Sequence, residues 1–152
     1  MKNVVEIVNE EIRDSYISFI IKQLSNEYTT QHKCTLWDIN NGMCDQFTQD
    51  IINKIGEESN NLHELTGDMF FNTRDPEFAR ENWKEIIETP YGIWSKMMLD
   101  YYGYPPVDLQ KVSEEINHSW IYYNGKHYDA ELSNGSKKWY DLPLIKKLFS
   151  KF

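Results

Sequence analysis

Two cysteines, Cys34 and Cys44, in a chain of 152 residues are too few for a disulfide framework, and both are read as free thiols. No window of about eighteen apolar residues occurs, so no segment is expected to span a membrane. Metal-ligand spacing is missing too. His32, Cys34, Cys44 and His118 form no C-x2–4-C or H-x3–5-H pair, and neither a metal nor another cofactor is expected. There is no P-loop and no G-x-G-x-x-G turn, which argues against a phosphate-cradling nucleotide site. No repeat, low-complexity tract or linker divides the chain, which reads as a single domain over 1–152. Positive charge is short: 16 Lys and Arg stand against 24 Asp and Glu, a net charge of −8. Such a surface repels phosphate backbones and anionic lipid, so neither nucleic acid nor membrane is an expected partner. The opening Met1-Lys2-Asn3, followed by acids at Glu6, Glu10 and Glu11, has no secretory h-region. A cytoplasmic setting is expected, or a host cytoplasm if the source is viral.

What is present is apolar and aromatic residue in quantity, 40% and 14% of the chain, which suits a packed globule. The most informative stretch is His118 to Glu131. Asn124-Gly125 separates two aromatic runs and predicts a two-residue type I′ hairpin turn, because both positions must accept positive φ. That turn pairs Tyr123 with Lys126, Tyr122 with His127, Trp120 with Asp129 and His118 with Glu131. One face then carries His118, Trp120, Tyr122, His127, Asp129 and Glu131. An imidazole and two carboxylates gather there, with Asp129 diagonal to His118.

Elsewhere the periodicity is mostly helical. Val5, Val8, Ile12, Tyr16, Phe19, Ile20 and Leu24 predict an amphipathic helix over 4–28 whose stripe is core. Residues 29–43 read as irregular, with a turn at Asn40-Asn41-Gly42. Phe47, Ile51, Ile52 and Ile55 predict a buried helix ending at Gly56, with Cys44 in its first turn. Unpaired N–H groups and the positive end of the dipole favour thiolate there and can hold an oxyanion. Asp45 acts against the thiolate unless its side chain caps the helix. Three further helices are expected: one from Asp75-Pro76 to Ile87, one over Ile93 to Tyr101, and a short set over Val107 to Ile116. Met69-Phe70-Phe71 is a possible extra strand. Ser133 to Ser136 reads as a turn, and Asp141-Leu142-Pro143 opens a last helix. The fold class is therefore α+β, helices packed on a small antiparallel sheet.

Cys44, His118 and Asp129 are the residue types of a thiol nucleophile, its base and the group that orients the base. Glu131 is the second candidate orienter, Asn41 the best side-chain donor for an oxyanion, and Trp120 and Trp37 are candidate groove walls. A plainer reading stands beside this one. Cys44 would be a small core residue, His118 a strand-edge residue, Asp129 a surface acid, Glu131 a solvated strand acid and Trp120 a hairpin core aromatic. His63 and His127 read as surface or hairpin polar residues.

G-M-C-D-Q-F opening a helix, followed later by H-S-W-I-Y-Y-N-G-K-H-Y-D-A-E, resembles the papain-like cysteine peptidase superfamily in its broad sense, which includes the NlpC/P60 and transglutaminase-like branches. The second motif is also similar to phage and bacterial proteins of H-x-W-I-x-Y-x-G-x-x-Y-D-A-E type. The resemblance covers about 13 residues around Cys44 and about 25 around the hairpin. It implies a papain-like fold with Cys44 as nucleophile at the start of a buried helix, His118 as general base and Asp129 as orienter. Where NlpC/P60 enzymes usually show Asp-Cys-Ser-Gly-Phe, this chain has Met43-Cys44-Asp45-Gln46-Phe47, and it lacks the upstream glutamine of papain-like peptidases.

The expected function is a cysteine-dependent hydrolase or acyl transferase acting on an amide, isopeptide or thioester bond of a peptide or protein substrate. It would run through a thioacyl intermediate, as a peptidase, amidase, deamidase or transferase. The alternative is a non-catalytic binding or inhibitory protein, of viral origin in one version, that keeps a peptidase-like scaffold.

Overall fold

The computed structural model describes residues 2–152. Helix α1 runs over Val4–His32, started by an Asn3/Glu6 capping box, and is four residues longer than its periodicity suggests. The segment expected to be irregular is then helical again. Thr35 accepts from the Asp38 amide and Asp38 accepts from the Thr35 amide, a second capping box that nucleates α2, Leu36–Gly42. Asn40-Asn41-Gly42 is the last turn of that helix. Only Met43 separates it from α3, Cys44–Ile55, whose buried side is Phe47, Thr48, Ile51 and Ile52.

Strand β1 is Leu62–Thr66, followed by a short 3-10 turn over Gly67–Met69 and by β2, Phe71–Asn72. Helix α4, Pro76–Asn82, starts as expected, with Asp75 capping and Pro76 in the first turn. It stops early, because Ile86–Glu88 forms β3. The helix expected over Ile93 to Tyr101 is split between β4, Ile93–Ser95, and α5, Lys96–Tyr102, capped by the Ser95 side chain. Residues 107–116 form no helix. Strands β5, Ser119–Tyr123, and β6, Lys126–Asp129, make the expected hairpin; β7, Leu132–Ser136, extends it through the segment read as a turn. The last helix, α6, is Pro143–Phe149. Its start is not capped by Asp141, whose carboxylate takes a hydrogen bond from Ser136 Oγ at 2.6 Å instead.

Two antiparallel sheets result, with orders β1-β5-β6-β7 and β2-β4-β3. At the hairpin turn Asn124 has φ 46° and Gly125 φ 87°, the two positive values a type I′ turn needs. Tyr123 pairs with Lys126 and Tyr122 with His127, as expected, and Ile121 with Tyr128. The expected pairs beyond these do not form. On its other edge β6 pairs with β7, where the register shifts between His127 and Asp129 and Asp129 pairs with Leu132 across the next turn. Glu131 therefore lies in a turn, not opposite His118.

The four-stranded sheet is covered on both faces. Ile121, Tyr128 and Leu62 pack with α1, α2 and α3. Leu65 and Trp120 pack on the other side with Phe70, Phe71, Trp94, Trp139 and α6. The stripe expected to be core on α1 is divided. Of its seven residues Ile20 and Leu24 are buried, together with Ile17, Ile21 and Tyr28, which the stripe did not include; Val5, Ile12 and Phe19 are 68%, 61% and 62% exposed, and Val8 and Tyr16 are exposed as well. At 100° per residue the exposed residues lie roughly opposite the buried ones. Periodicity reports which residues share a face, not what covers it. No helix among the described residues is long and apolar enough to cross a membrane.

Candidate functional site

Cys44 is the first residue of α3, and no side chain caps that helix end. Its amide and the next two therefore lack intrahelical partners, as at any helix start. Asp45 does not cap the helix. Its Oδ1 accepts a hydrogen bond from Ser119 Oγ, which ties the start of α3 to the start of β5. The thiol, half-buried, sits beside the residue before that strand, His118.

His118 is 3% exposed and Asp129 2%. His118 Nε2 donates to Asp129 Oδ2 at 2.9 Å. The other carboxylate oxygen accepts from the Glu131 and Leu132 amides, both at 2.9 Å. Asp129 is thus held by the turn that follows it. The imidazole plane is set from below by Trp120, stacked on it at a centroid distance of 5.9 Å, with Trp139 stacked under Trp120 at 6.1 Å. With Nε2 occupied, Nδ1 is the free nitrogen, and it is buried with no hydrogen-bond partner. The thiol itself makes a long 4.0 Å approach to Asp45 Oδ1. Catalytic hydrogen bonds are often long in unliganded proteins and tighten with substrate.

The electrostatics favour an ion pair. Burial pushes the Cys44 thiol up, but the His118 side chain and the Ser119 backbone amide outweigh burial and the Asp45 charge, and the net shift is downward. Burial likewise lowers His118, yet Asp129 and Cys44 together carry it up to about 9. Each partner thus favours the charged form of the other.

Backbone approach assists. The Gly67 amide donates to the His118 carbonyl at 3.0 Å, and a Cβ at Gly67 would fall 1.8 Å from the Ile116 carbonyl oxygen. Only glycine lets the 3-10 turn lie against the segment that delivers His118. A cleft of about 360 Å³ opens above the thiol and the imidazole, lined by residues 40–42, 44–45, 66–68, 71–74 and 115–119.

Asn41 lines the cleft and is exposed, so it can donate to an oxyanion. Glu131 does not orient His118: its Oε1 accepts from Asn40 Nδ2 at 2.9 Å, bracing the turn after Asp129 against α2. Trp120 is no groove wall. It is fully buried, and its Nε1 donates to His127 Nδ1 at 3.0 Å. Trp37 is half-buried under the Lys147 ammonium, 4.6 Å from the ring centre, and does not line the cleft. His127, expected to be a surface or hairpin residue, is 1% exposed. Burial and the nearby His63 push it down to about 4, and the bond accepted from Trp120 requires a neutral Nδ1. Asn40, Gly67 and the Ser119 amide were not anticipated. The signal for Asn40 was the Thr35-x-x-Asp38 capping box, which predicts α2.

Comparison of the chain with protein-family models, with curated proteins and with solved structures finds no match.

Proposed function

We propose that this protein is a cysteine-dependent hydrolase or acyl transferase acting on an amide, isopeptide or thioester bond, with Cys44 as nucleophile, His118 as general acid and base, and Asp129 as the group that positions His118. The supporting observation is the buried His118 Nδ1, left free on the thiol side while Asp129 holds Nε2. The papain-like, NlpC/P60-like likeness of the two motifs agrees with a nucleophile at a helix start and a base just before a neighbouring strand.

Cys44 thiolate attacks the carbonyl carbon, a C–S bond forms and the carbonyl electron pair moves to oxygen. The Cys44 and Asp45 amides are the nearest backbone donors for that oxyanion, with Asn41 as a side-chain donor. Collapse re-forms the carbonyl and breaks the bond to the leaving group, which takes the proton from His118 Nδ1 when it is an amine. Nδ1 then removes a proton from water, or from an acceptor amine, and the second attack releases the acyl group and restores the thiol. A reducing cytoplasm, where thiols stay free, is the compartment this chemistry suits.

The test is acylation with p-nitrophenyl acetate. The reading expects a burst of nitrophenolate and an acetyl adduct on Cys44, lost in Cys44→Ala and slowed in His118→Ala, both variants remaining folded. A Cys44→Ala variant with an undiminished burst would overturn the reading and leave the binding-scaffold alternative.

A further inference from the structure

The cleft around the thiol is unevenly charged. Among the described residues Arg74 is the one Lys or Arg on its walls, and its Nε is bonded to Glu115 Oε2 at 2.6 Å, with Thr73 Oγ1 on the other oxygen at 2.7 Å. Asp45 and Asp68 are left. They accept from Ser119 Oγ and Thr66 Oγ1, and neither is ion-paired among the described residues. Their charges extend to β1, where Glu64 is raised by burial first and then, among others, by Asp45 and Asp68.

A second observation is independent of these carboxylates. Asn40 is 1% exposed and lines the cleft. A carboxylate only accepts, so Asn40 must turn its amide nitrogen to Glu131 Oε1. Its Oδ1 is then a buried acceptor without a donor. An unmet buried acceptor is costly until a donor arrives. A ligand with N–H donors on a positive group answers both the acceptor and the uncompensated acids. No three His, Cys, Asp or Glu side chains among the described residues are grouped to hold a metal ion, so the cation that fits is organic.

We propose that the cleft selects substrates carrying an ammonium or guanidinium group, as in lysine, arginine or a free amino terminus, close to the acyl carbon that Cys44 attacks. This rests on the thiol-enzyme reading, and its test separates the two.

Three methanethiosulfonates that differ in charge, the cationic aminoethyl, the neutral methyl and the anionic sulfonatoethyl reagents, are reacted with the full chain at low salt. Modification of Cys44 is followed by peptide mass mapping, and each rate is divided by that of mercaptoethanol with the same reagent. The expected result is fast modification by the neutral reagent and a cation-to-anion ratio of about tenfold or more, as charged clefts give. That ratio falls towards one at high salt. It also falls severalfold in Asp68→Asn, which keeps the acceptor for Thr66. The salt series on the unaltered protein stands if that variant fails to fold. Fast neutral modification with a cation-to-anion ratio near one overturns the cation selectivity and leaves the thiol enzyme intact. Slow modification by all three reagents overturns both.

Discussion

His118 Nε2 and Asp129 Oδ2 meet at 2.9 Å inside the protein, and their bond leaves Nδ1 as the ring nitrogen without a partner. The bond has a separable role in chemistry and in folding. Asp129→Asn keeps an oxygen for the Glu131 and Leu132 amides but removes the charge that favours imidazolium. It should lower the acylation rate of Cys44 roughly a hundredfold or more while moving the melting temperature little. Asp129→Ala strands two half-buried amides, each at a cost of up to about 1–3 kcal/mol, and should also destabilise measurably. Denaturant melts and burst kinetics on the two variants check the separation.

The proposed thiolate–imidazolium pair also predicts a pH window. Activity needs Cys44 deprotonated and His118 protonated. Acylation should therefore rise with pH through the thiol's lowered pKa and fall as His118 loses its proton near 9. In Asp129→Asn the alkaline limb should move to lower pH, because the largest influence holding the proton on His118 is weakened. A rate profile for an activated anilide such as p-nitrotrifluoroacetanilide, whose leaving amine needs that proton, measures both limbs when corrected for its own hydrolysis.

His127 predicts a stability change on the acid side. Its folded pKa, about 4, lies below the ordinary value of 6.5, so the unfolded chain binds more protons between those values. The contribution of neutral His127 is fully present above pH 6.5 and is lost as pH falls toward 4. The loss is of the order of 3 kcal/mol. His127→Asn can still accept from Trp120 Nε1 and does not titrate. The difference in unfolding free energy between the two proteins should shrink as pH falls, which urea melts from pH 7 to 4 will show. A constant difference would refute the assignment.

The two apolar faces of α1 should behave unequally. Ile17 is fully buried, so Ile17→Ala should cost about 2–4 kcal/mol. Ile12 is 61% exposed, and Ile12→Lys should change stability by less than about 0.5 kcal/mol. Paired thermal melts decide the point.

The parts of the fold legible in the amino-acid order are those governed by near neighbours. Asn124-Gly125 specifies the turn and three cross-strand pairs, and from these the shared face of His118, Trp120, His127 and Asp129 follows. Cys44 is readable as a helix start because the apolar spacing after it is regular. What was hidden depends on distant partners. Leu62–Thr66 alternates too weakly to announce a strand until Trp120 and Ile121 pair with it. Glu131 meets Asn40 across 91 positions because β6 ends at Asp129 and Glu131 falls in the turn before β7. The apolar face on the first half of α1 looks the same in sequence whether it is covered or bare.

The most direct test is alkylation of the two thiols by iodoacetamide at about pH 6.5, roughly two units below the pKa of an ordinary cysteine. Cys44 should be labelled well ahead of Cys34, and His118→Ala should abolish the lead. Equal, slow labelling of both cysteines, unchanged by His118→Ala, would contradict the account.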